Sequence, residues 1–502
     1  MIKAEHKRVR SFALNPRRKR GSQLAIDQVI VKVATAGPTE EVQFRDFGAN
    51  GMLELIKDRF EPRRARLLHW IGGRGAISDT FCQGGTTFSP ISLEPSLLEA
   101  LRLPASVARA VDDARKLLDE ISACFCRYAD VGKEQARIIT NFVLYSWFQD
   151  GLRVAPYLSI IGPYECGKTT ILALLHSLCR RAINVSDFTP VALYELPSMV
   201  MPTLLIDEFD ESGRSSRQRD ITRLLRTGTT QGDHAFRARR MFKTFCAKVV
   251  ASRQVPADAA LASRMVTVSL RPSKKSLPPL DTETLEEIAA EFQPRLLGYR
   301  LRNYYAVTRH FGTEVPDFTP RMKDLGRALA APLLGDAELR RELFSALSVH
   351  DEEARLNRYS EPEWAVAVAL YSESHRGGSH LTVGELASTV NDVLFENGET
   401  LALFPRAVGA VVRSLGLRTE QLGSQGRGFR LTKSFRLKVH ELARDLGVRR
   451  SDILPWITVE SGYGGYPCPV CEELGLMVDN NNNPLRCIPP SKRHHGNLFE
   501  HI

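Results

Sequence analysis

One short segment of the chain has the residue types and spacing of a phosphate-binding loop (P-loop). It reads Gly162-Pro163-Tyr164-Glu165-Cys166-Gly167-Lys168-Thr169, with Thr170 directly after it. Glycines let the backbone turn so that its N–H groups face phosphate oxygens, a lysine reaches the outer phosphates, and a threonine hydroxyl ligates Mg²⁺. The segment therefore predicts that residues 162–170 bind ATP and Mg²⁺, and we interpret Cys166 as a small spacer rather than a redox centre.

Two acidic residues follow an apolar segment further along the chain. The residues Thr203–Ile206 are typical of a buried strand, and Asp207 and Glu208 come directly after it. An aspartate there would hold Mg²⁺, directly or through water, and a glutamate would orient and polarise the attacking water. The alternative is a strand that ends in two solvated acids. The strand–helix unit between the two motifs, at 183–185 and 190–196, favours the catalytic interpretation.

Two more polar positions flank predicted strands. Ser252 ends the segment Thr244–Ala251 and could sense the γ-phosphate; a strand-capping serine is the alternative, and Arg253 is an alternative sensor. Arg264 comes just before the apolar run 265–270. In an oligomer it could reach the γ-phosphate of a neighbouring subunit, as an arginine finger does, or it could make a surface ion pair.

These residues need a sheet and helices to position them. Tyr157–Ile161 is a β-branched and aromatic run that predicts a buried parallel strand, and Thr170–Arg181 predicts the helix after the loop. Helical spacing of apolar residues also covers Ser106–Tyr128, Glu134–Phe148 and Thr282–Tyr305. The sequence thus predicts an α/β core.

The composition is that of an ordinary globular protein with a basic balance. The net charge is +10, which suits a polyanionic partner, and residues 1–20 hold a cluster of Lys and Arg that is either a phosphate-binding arm or a solvated tail. No apolar run approaches the roughly 20 residues of a membrane span, and the N-terminus lacks a secretory signal. We expect a cytoplasmic protein with reduced cysteines and no membrane partner.

The motifs together resemble the AAA+ class of P-loop ATPases, on the segments GPYECGKT and LLIDE and on the Ser263-Arg264 pair before the last strand. The stretches PYLSIIGPYECGKTTILALLHSLCRRAINVSDFTPVALYEL, PTLLIDEFDE and ALASRMVTVSL are similar to an ATPase family of phages, plasmids and other mobile elements. That family is related to the helicase part of primase-helicase proteins. The resemblance covers about residues 105–347, and no primase domain is recognisable before it.

The resemblance implies a three-layer AAA+ core with a helical lid. It implies ATP hydrolysis with Lys168, Asp207 and Glu208, and with Arg264 acting in trans within a homo-oligomeric ring such as a hexamer. Arg321 is a candidate lid arginine that contacts ATP. The implied function is a DNA helicase or translocase in the replication of a mobile element; an ATP-gated DNA-binding regulator and a defence ATPase without unwinding activity are the alternatives.

Helicase-like members of the class carry a basic hairpin between the acidic strand and the next strand. The corresponding segment here is 232–243. Phosphate contacts and base stacking would come from Phe236, Arg237, Arg239, Arg240 and Lys243. The alternative is a solvated, charged loop.

A winged-helix domain is predicted at 379–447. Thr382–Leu394 and Pro405–Leu415 are helix candidates, and Arg418–Leu431 contains the glycines of a wing. The predicted DNA contacts are Arg406, Arg413, Arg427 and Arg430. Winged helices also bind proteins, which is the alternative role.

The C-terminal segment carries cysteines at metal-ligand spacing. A tetrahedral Zn²⁺ site is predicted from Cys468, Cys471, Cys487 and His494, with His495 or His501 as replacements for His494. Free cysteines in a frayed tail are the alternative.

The predicted divisions follow from these segments. They are a basic tail at 1–21, a small strand-containing domain at 22–105, an ATPase core with preceding helices at 106–272, a helical lid at 273–350, the winged helix at 379–447 and a zinc-ribbon-like tail at 460–502.

Overall fold

The computed structural model describes residues 26–28 and 38–448 of the 502-residue chain, except 62, 187–188, 208, 210–215, 257, 274, 310–313, 360, 375–377, 400–401 and 447. Residue contacts divide the chain after Asp351 into two compact units. Among the described helices, none is both long and apolar enough to cross a membrane.

The first unit opens with two β-sheets. Their strands are β1 (Ile26–Gln28), β2 (Thr39–Val42), β3 (Phe44–Asp46), β4 (Met52–Lys57), β5 (Ala65–Ile71), β6 (Arg74–Ser78), β7 (Phe81–Gln83) and β8 (Thr86–Pro90). One sheet has the order β1-β6-β5-β4-β3 and the other β2-β8-β7. Strand β4 lies between β5 and β3 and is almost wholly buried; its residues are apolar apart from Glu54, whose carboxylate is buried, and the terminal Lys57.

Three helices connect these sheets to the next strands: α1 (Pro95–Ala100), α2 (Ala114–Tyr128) and α3 (Lys133–Ser146). The helix α2 begins eight residues later than Ser106. The Asp113 side chain accepts from the Lys116 N–H and satisfies an otherwise unpaired donor of the first turn, which fixes this start.

A mixed α/β core follows, and its parallel sheet confirms the predicted fold class at this level. Its elements are β9 (Tyr157–Ile161), α4 (Lys168–Leu178), β10 (Ala182–Val185), α5 (Ala192–Val200), β11 (Thr203–Ile206), α6 (Ser216–Arg226), β12 (His234–Arg237), β13 (Arg240–Lys243), β14 (Lys248–Ser252), α7 (Ala259–Ala262) and β15 (Met265–Ser269). The sheet order is β10-β11-β14-β9-β15, with all pairs parallel. All five carboxyl ends therefore lie at one edge, where α/β proteins bind ligands.

Long helices complete the first unit: α8 (Thr282–Arg309), α9 (Pro320–Ala330) and α10 (Ala337–Tyr359), the last of which passes the division point. Helix α8 packs against α4, and α9 packs against α3.

A cluster of fully or almost fully buried charges joins the N-terminal sheet to the core. We call it the Glu54 cluster; its members are Glu54, Asp150, Arg180, Arg181 and Arg300. The Glu54 carboxylate accepts from Arg180 Nη2 at 2.8 Å, from Arg181 Nη2 at 2.8 Å and from Arg300 Nε at 3.0 Å. The Asp150 carboxylate accepts from Arg300 Nη2 at 2.6 Å.

The charges of the cluster stabilise one another against the cost of burial. Burial raises the pKa of Glu54, but the guanidinium groups of Arg180, Arg300 and Arg181 outweigh that effect and leave the pKa lowered. The same balance holds the pKa of Asp150 at about 2. Both acids are therefore ionised, and the N-terminal sheet is tied to the residues that follow α4 and to α8.

The second unit is smaller and has its own apolar core. Its elements are α11 (Pro362–Ser374), β16 (His380–Thr382), α12 (Val383–Glu396), α13 (Pro405–Ser414), β17 (Glu420–Gln421), β18 (Arg427–Arg430) and α14 (Lys433–Asp445). The three strands form an antiparallel sheet in the order β16-β18-β17. A Thr382–Glu385 capping box starts α12.

Candidate nucleotide site and nucleic-acid surfaces

The P-loop connects the carboxyl end of β9 to the first turn of α4. Strand β9 is buried between β14 and β15, and α4 begins at Lys168. A Cβ atom at Gly162 would lie 2.6 Å from Cys166 Sγ and 2.6 Å from the Leu270 oxygen, so only glycine fits. Gly167 has a φ of 92°, a left-handed conformation that favours glycine, and space is open beside it.

The loop presents its polar groups at the start of α4. Lys168 Nζ donates to the Gly162 oxygen at 2.7 Å and to the Pro163 oxygen at 2.6 Å. The Thr169 side chain is exposed one residue later. The first N–H groups of a helix have no partner within the helix and carry the positive end of its dipole. An anion of phosphate geometry fits this arrangement.

Register places Asp207 at the same edge of the sheet as the P-loop. Ile206 of β11 pairs with Val250 of β14, and Ser252 of β14 pairs with Ile161 of β9. Neighbouring strands are about 4.8 Å apart, so the ends of β11 and β9 are separated by about 10 Å. Asp207 is half-buried, and its N–H donates to the Val185 oxygen at 3.3 Å. Asp207 and the P-loop thus lie at the same edge, where Thr169 and Asp207 would be the residues that hold Mg²⁺, while Glu208 lies outside the described residues.

The two predicted sensors, Ser252 and Arg253, make different contacts at the end of β14. The Ser252 hydroxyl donates to the Gln254 oxygen at 2.7 Å, which is the geometry of the strand-capping alternative. Arg253 is exposed, and its guanidinium carbon lies 3.9 Å from the centroid of the Tyr164 ring in the P-loop. The structure thus brings Arg253, rather than the Ser252 hydroxyl, to the face of the loop.

Arg264 lies at the opposite edge of the sheet. It follows α7 and precedes β15, and its oxygen accepts from the Tyr157 N–H at 3.1 Å, at the start of β9. A five-residue strand is about 16 Å long, so Arg264 is far from the P-loop of its own chain. Its guanidinium group donates to the Ala260 oxygen.

Cationic residues gather around Arg264. Burial lowers its pKa, and the charges of Arg321 and Arg226 act in the same direction. Arg226 pairs with Asp258, with Nε 2.8 Å from Oδ1.

The predicted basic segment forms an antiparallel hairpin of β12 and β13. The two turn residues, Ala238 and Arg239, have φ values of 47° and 61°. This two-residue turn is usually occupied by glycine or asparagine, because other side chains adopt a left-handed backbone at a cost. The predicted contacts Arg237, Arg239, Arg240 and Lys243 are all exposed.

The hairpin also carries two exposed apolar side chains, of which only Phe236 was predicted from the sequence. Phe236 is 61% exposed, and its cross-strand partner Met241 is 63% exposed. Met241 was missed; the symmetric spacing of the two residues around the turn is the signal that could have found it. Lys243 N–H donates to Ser198 Oγ at 2.6 Å, and Phe242 packs on Tyr194, which anchors the hairpin to α5.

The predicted DNA contacts of the second unit are exposed. Arg406 and Arg413 lie on α13, opposite its buried residues Val408 and Val412. On the predicted wing, Arg427 donates to Thr419, and Arg430 forms an ion pair with Glu420 at 3.1 Å.

The predicted zinc ligands and the basic N-terminal tail lie outside the described residues. Within the described part of the chain, no group of three or more His, Cys, Asp or Glu side chains is placed to hold a metal.

No family model matches the chain, and no curated protein matches it. Among solved structures it is similar to the NrS-1 C-terminal region, at 11% identity over 75% of this chain and 95% of that one, with a TM-score of 0.33. It is similar to a full-length MCM homolog from Methanopyrus kandleri, at 15% identity over 59% and 70%, with a TM-score of 0.29.

A third similar structure is JCV helicase, at 17% identity over 48% of this chain and 70% of that one, with a TM-score of 0.19.

Proposed function

We propose that the chain is an AAA+ ATP hydrolase that moves along DNA as a helicase or translocase, in the replication of a mobile element. The observation that carries the proposal is the common sheet edge that holds the P-loop, Asp207 and Arg253. Phosphate-binding geometry, a magnesium-holding carboxylate and a cation at the same edge favour hydrolysis of a nucleoside triphosphate.

Each residue has a role in this proposal. Lys168 and the N–H groups at the start of α4 hold and orient the β- and γ-phosphates, and Thr169 and Asp207 hold Mg²⁺. When bound there, Mg²⁺ would supply positive charge against the charge that develops on the phosphate oxygens. Glu208 orients the attacking water. Binding through a preformed loop also fixes the line of attack.

The position of Arg264 supports action in a homo-oligomeric ring, for which a hexamer is one arrangement. Because Arg264 lies at the edge away from its own P-loop, we expect it to reach a γ-phosphate only on a neighbouring copy. Its positive charge would stabilise the transition state there.

The hairpin supports DNA as the partner. Arg239 occupies a left-handed turn position that glycine would fill at lower cost, and strain of this kind is often kept for function. Exposed Phe236 and Met241 offer a stacking surface beside the arginines. The helix–strand–helix–helix–strand–strand order of the second unit supports a winged helix as a further DNA contact. A zinc ribbon at Cys468, Cys471, Cys487 and His494 stays a prediction.

A decisive test compares ATP turnover of the full chain with and without single-stranded DNA. Lys168→Ala is expected to reduce turnover by about 100-fold or more, because a charged contact to the transferred phosphate is lost. Arg239→Gly is expected to abolish DNA stimulation and to leave basal ATP turnover unchanged. The free energy of unfolding should stay the same or rise, because glycine adopts the left-handed turn with less strain.

Arg302→Ala on the exposed side of α8 is the matched control for loss of one arginine, with no expected effect on stimulation. DNA stimulation that survives Arg239→Gly would favour the second candidate, an ATP-gated DNA-binding regulator. The presence of a separate second unit is the observation that supports this candidate. Unchanged turnover in Lys168→Ala would refute the nucleotide site itself.

A further inference from the structure

The two most exposed large apolar side chains of the described residues both lie in the second unit. Phe395 is 77% exposed near the end of α12, and Phe404 is 79% exposed directly before α13. Single exposed apolar residues are common on proteins, whereas adjoining ones, rimmed by polar groups, mark interaction sites. The relative position of the two rings therefore decides what they mean.

Hydrogen bonds bring the two phenylalanines to one side of the unit. The Asn391 side chain donates to the Leu403 oxygen at 3.1 Å and accepts from the Leu403 N–H at 2.7 Å. These bonds fix the residue before Phe404 to helix α12. Phe395 is four residues after Asn391 in the same helix, and residues at this spacing lie on one helix face. The two rings thus flank a junction that hydrogen bonds hold in place.

The charge around this junction is opposite to that of the rest of the chain. Residues 377–405 contain four acids and no lysine or arginine, whereas residues 406–447 contain nine lysines and arginines against three acids. The whole chain has a net charge of +10. The second unit is therefore divided along its sequence into an acidic part, which carries the two rings, and a basic part, which carries the predicted DNA contacts.

The carboxylates beside the rings are available to a partner. Asp392 and Glu396 are exposed, and Glu399 is half-buried. Elsewhere in the unit Arg430 pairs with Glu420, but within its described residues none of the three carboxylates beside the rings is in an ion pair. An incoming cation would meet them without breaking an existing pair.

Rings and carboxylates together select a class of partner. Carboxylates repel the phosphates of nucleic acid, so DNA does not fit this surface. A protein segment that covers the rings with apolar side chains and pairs lysines or arginines with the carboxylates is complementary to it. An amphipathic helix presents apolar residues at i, i+3 and i+4 with basic residues beside them, which matches two rings on one side of the unit.

We propose that the junction is a docking surface for a basic amphipathic helix of another protein. It consists of Asp392, Phe395, Glu396, Glu399 and Phe404. The surface differs from α13 and the wing, whose arginines are the proposed DNA contacts, and it does not depend on the nucleotide site. It adds a second kind of partner to the proposed function: the second unit would bring a protein to the DNA that its basic part contacts.

Binding of a labelled model peptide to the full chain tests this surface. The probe is a helix-forming peptide of leucine and lysine with its leucines at helical spacing, and binding is measured by fluorescence anisotropy. Phe395→Ala and Phe404→Ala are each expected to weaken the peptide by about 10-fold, because buried aromatic anchors carry much of the binding energy of an interface. Phe60→Ala is the matched control, since Phe60 is 73% exposed in the first unit.

The carboxylates are tested separately. Asp392→Asn combined with Glu396→Gln is expected to weaken the peptide by about threefold at low salt and by less at high salt, because salt screens exposed charges. Glu287→Gln on α8 removes an exposed carboxylate of the first unit and should have no effect. All four changed residues are exposed, so the free energy of unfolding should stay within about 0.5 kcal/mol of that of the unchanged protein.

Three results would overturn the proposal. Equal binding of a peptide in which glutamate replaces lysine would reduce the surface to apolar adhesion without charge selection. Equal affinity of Phe60→Ala and the two junction variants for the leucine–lysine peptide would place its binding elsewhere. Self-association of the unchanged chain that Phe395→Ala and Phe404→Ala abolish would make the occupant a second copy rather than a basic helix of another protein.

Discussion

The two ends of helix α4 differ in how far their charged and polar residues are buried and bonded to protein partners. At its start, Lys168 is half-buried and Thr169 is exposed, and the loop before them turns through a left-handed glycine. Just beyond its end, Arg180 and Arg181 are fully buried and bonded to Glu54. One helix thus connects a region that leaves polar groups for a ligand to a region in which protein partners hold nearly all of them.

The P-loop end of α4 therefore serves ligand binding, and the Glu54 cluster at the other end serves the stability of the fold. A ligand site needs donors that can exchange their partners for a ligand, as Lys168 can exchange the two loop oxygens, and such donors contribute little to folding. The Glu54 cluster fixes the far end of the helix, because two ionised acids hold three arginines from two parts of the first unit: Arg180 and Arg181 directly after α4, and Arg300 on α8. Changes at the two ends should therefore separate into effects on stability and effects on binding.

The largest expected effect is at the buried end. Glu54→Gln removes the charge that three guanidinium groups face, and breaking a buried charge network costs about 3–5 kcal/mol. The free energy of unfolding of the full chain, from urea denaturation, should fall by that amount. Glu286→Gln is the matched control: the Glu286 side chain is 58% exposed in its pair with Arg102, so the change should cost less than about 1 kcal/mol. Equal effects of the two variants would contradict the division of tasks.

A second effect concerns acid. The pKa of Asp150 is held at about 2, below the 3.8 of an unperturbed aspartate, because the arginines outweigh burial. Its stabilisation is therefore complete above about pH 5 and is lost as the pH falls towards 2, for a total of about 2 kcal/mol. Unfolding free energies measured from pH 6 to pH 3 should decrease, and less steeply in Asp150→Asn. If the unfolding free energy of Asp150→Asn fell with decreasing pH as steeply as that of the unchanged protein, groups other than Asp150 would account for the acid sensitivity.

The smallest effect is at the ligand end. In Gly162→Ala the new methyl group would meet the Leu270 oxygen and Cys166 Sγ, so the loop must shift. We expect nucleotide affinity to fall by about tenfold, or ~1.4 kcal/mol, since loop geometry sets the phosphate contacts. Gly335→Ala is a control, because a Cβ there meets no atom within 4 Å. If both variants bound nucleotide equally well, the close approach at Gly162 would be irrelevant to binding.

Local signals predicted the strands and the loop well. Tyr157–Ile161 is a strand with the predicted bounds, because a buried parallel strand has a continuous apolar run. The hairpin that the resemblance implied within 232–243 is present as β12 and β13. Helix α2 was predicted to start too early, since the apolar spacing before Asp113 does not reveal which residue caps the helix.

Contacts between distant residues could not be predicted from one sequence. Glu54, Arg180 and Arg300 look like ordinary charged residues until the fold brings them together. The stack of Arg253 on Tyr164 likewise depends on which strand lies beside β9, and only the sheet order reveals that. The roles of the predicted site residues stay predictions, and those of Glu208 and the zinc ligands fall outside the described residues.

The Glu54 cluster also sets an order of events during synthesis. Arg300 is 246 residues after Glu54 in the chain. At roughly 5–20 residues per second, a ribosome needs about 10–50 s to supply this last arginine. Until then the N-terminal sheet carries a carboxylate whose partners are incomplete, so the first unit can close only when α8 emerges. Nascent chains that stop before Arg300 should consequently be more open to proteases and more dependent on chaperones than longer ones.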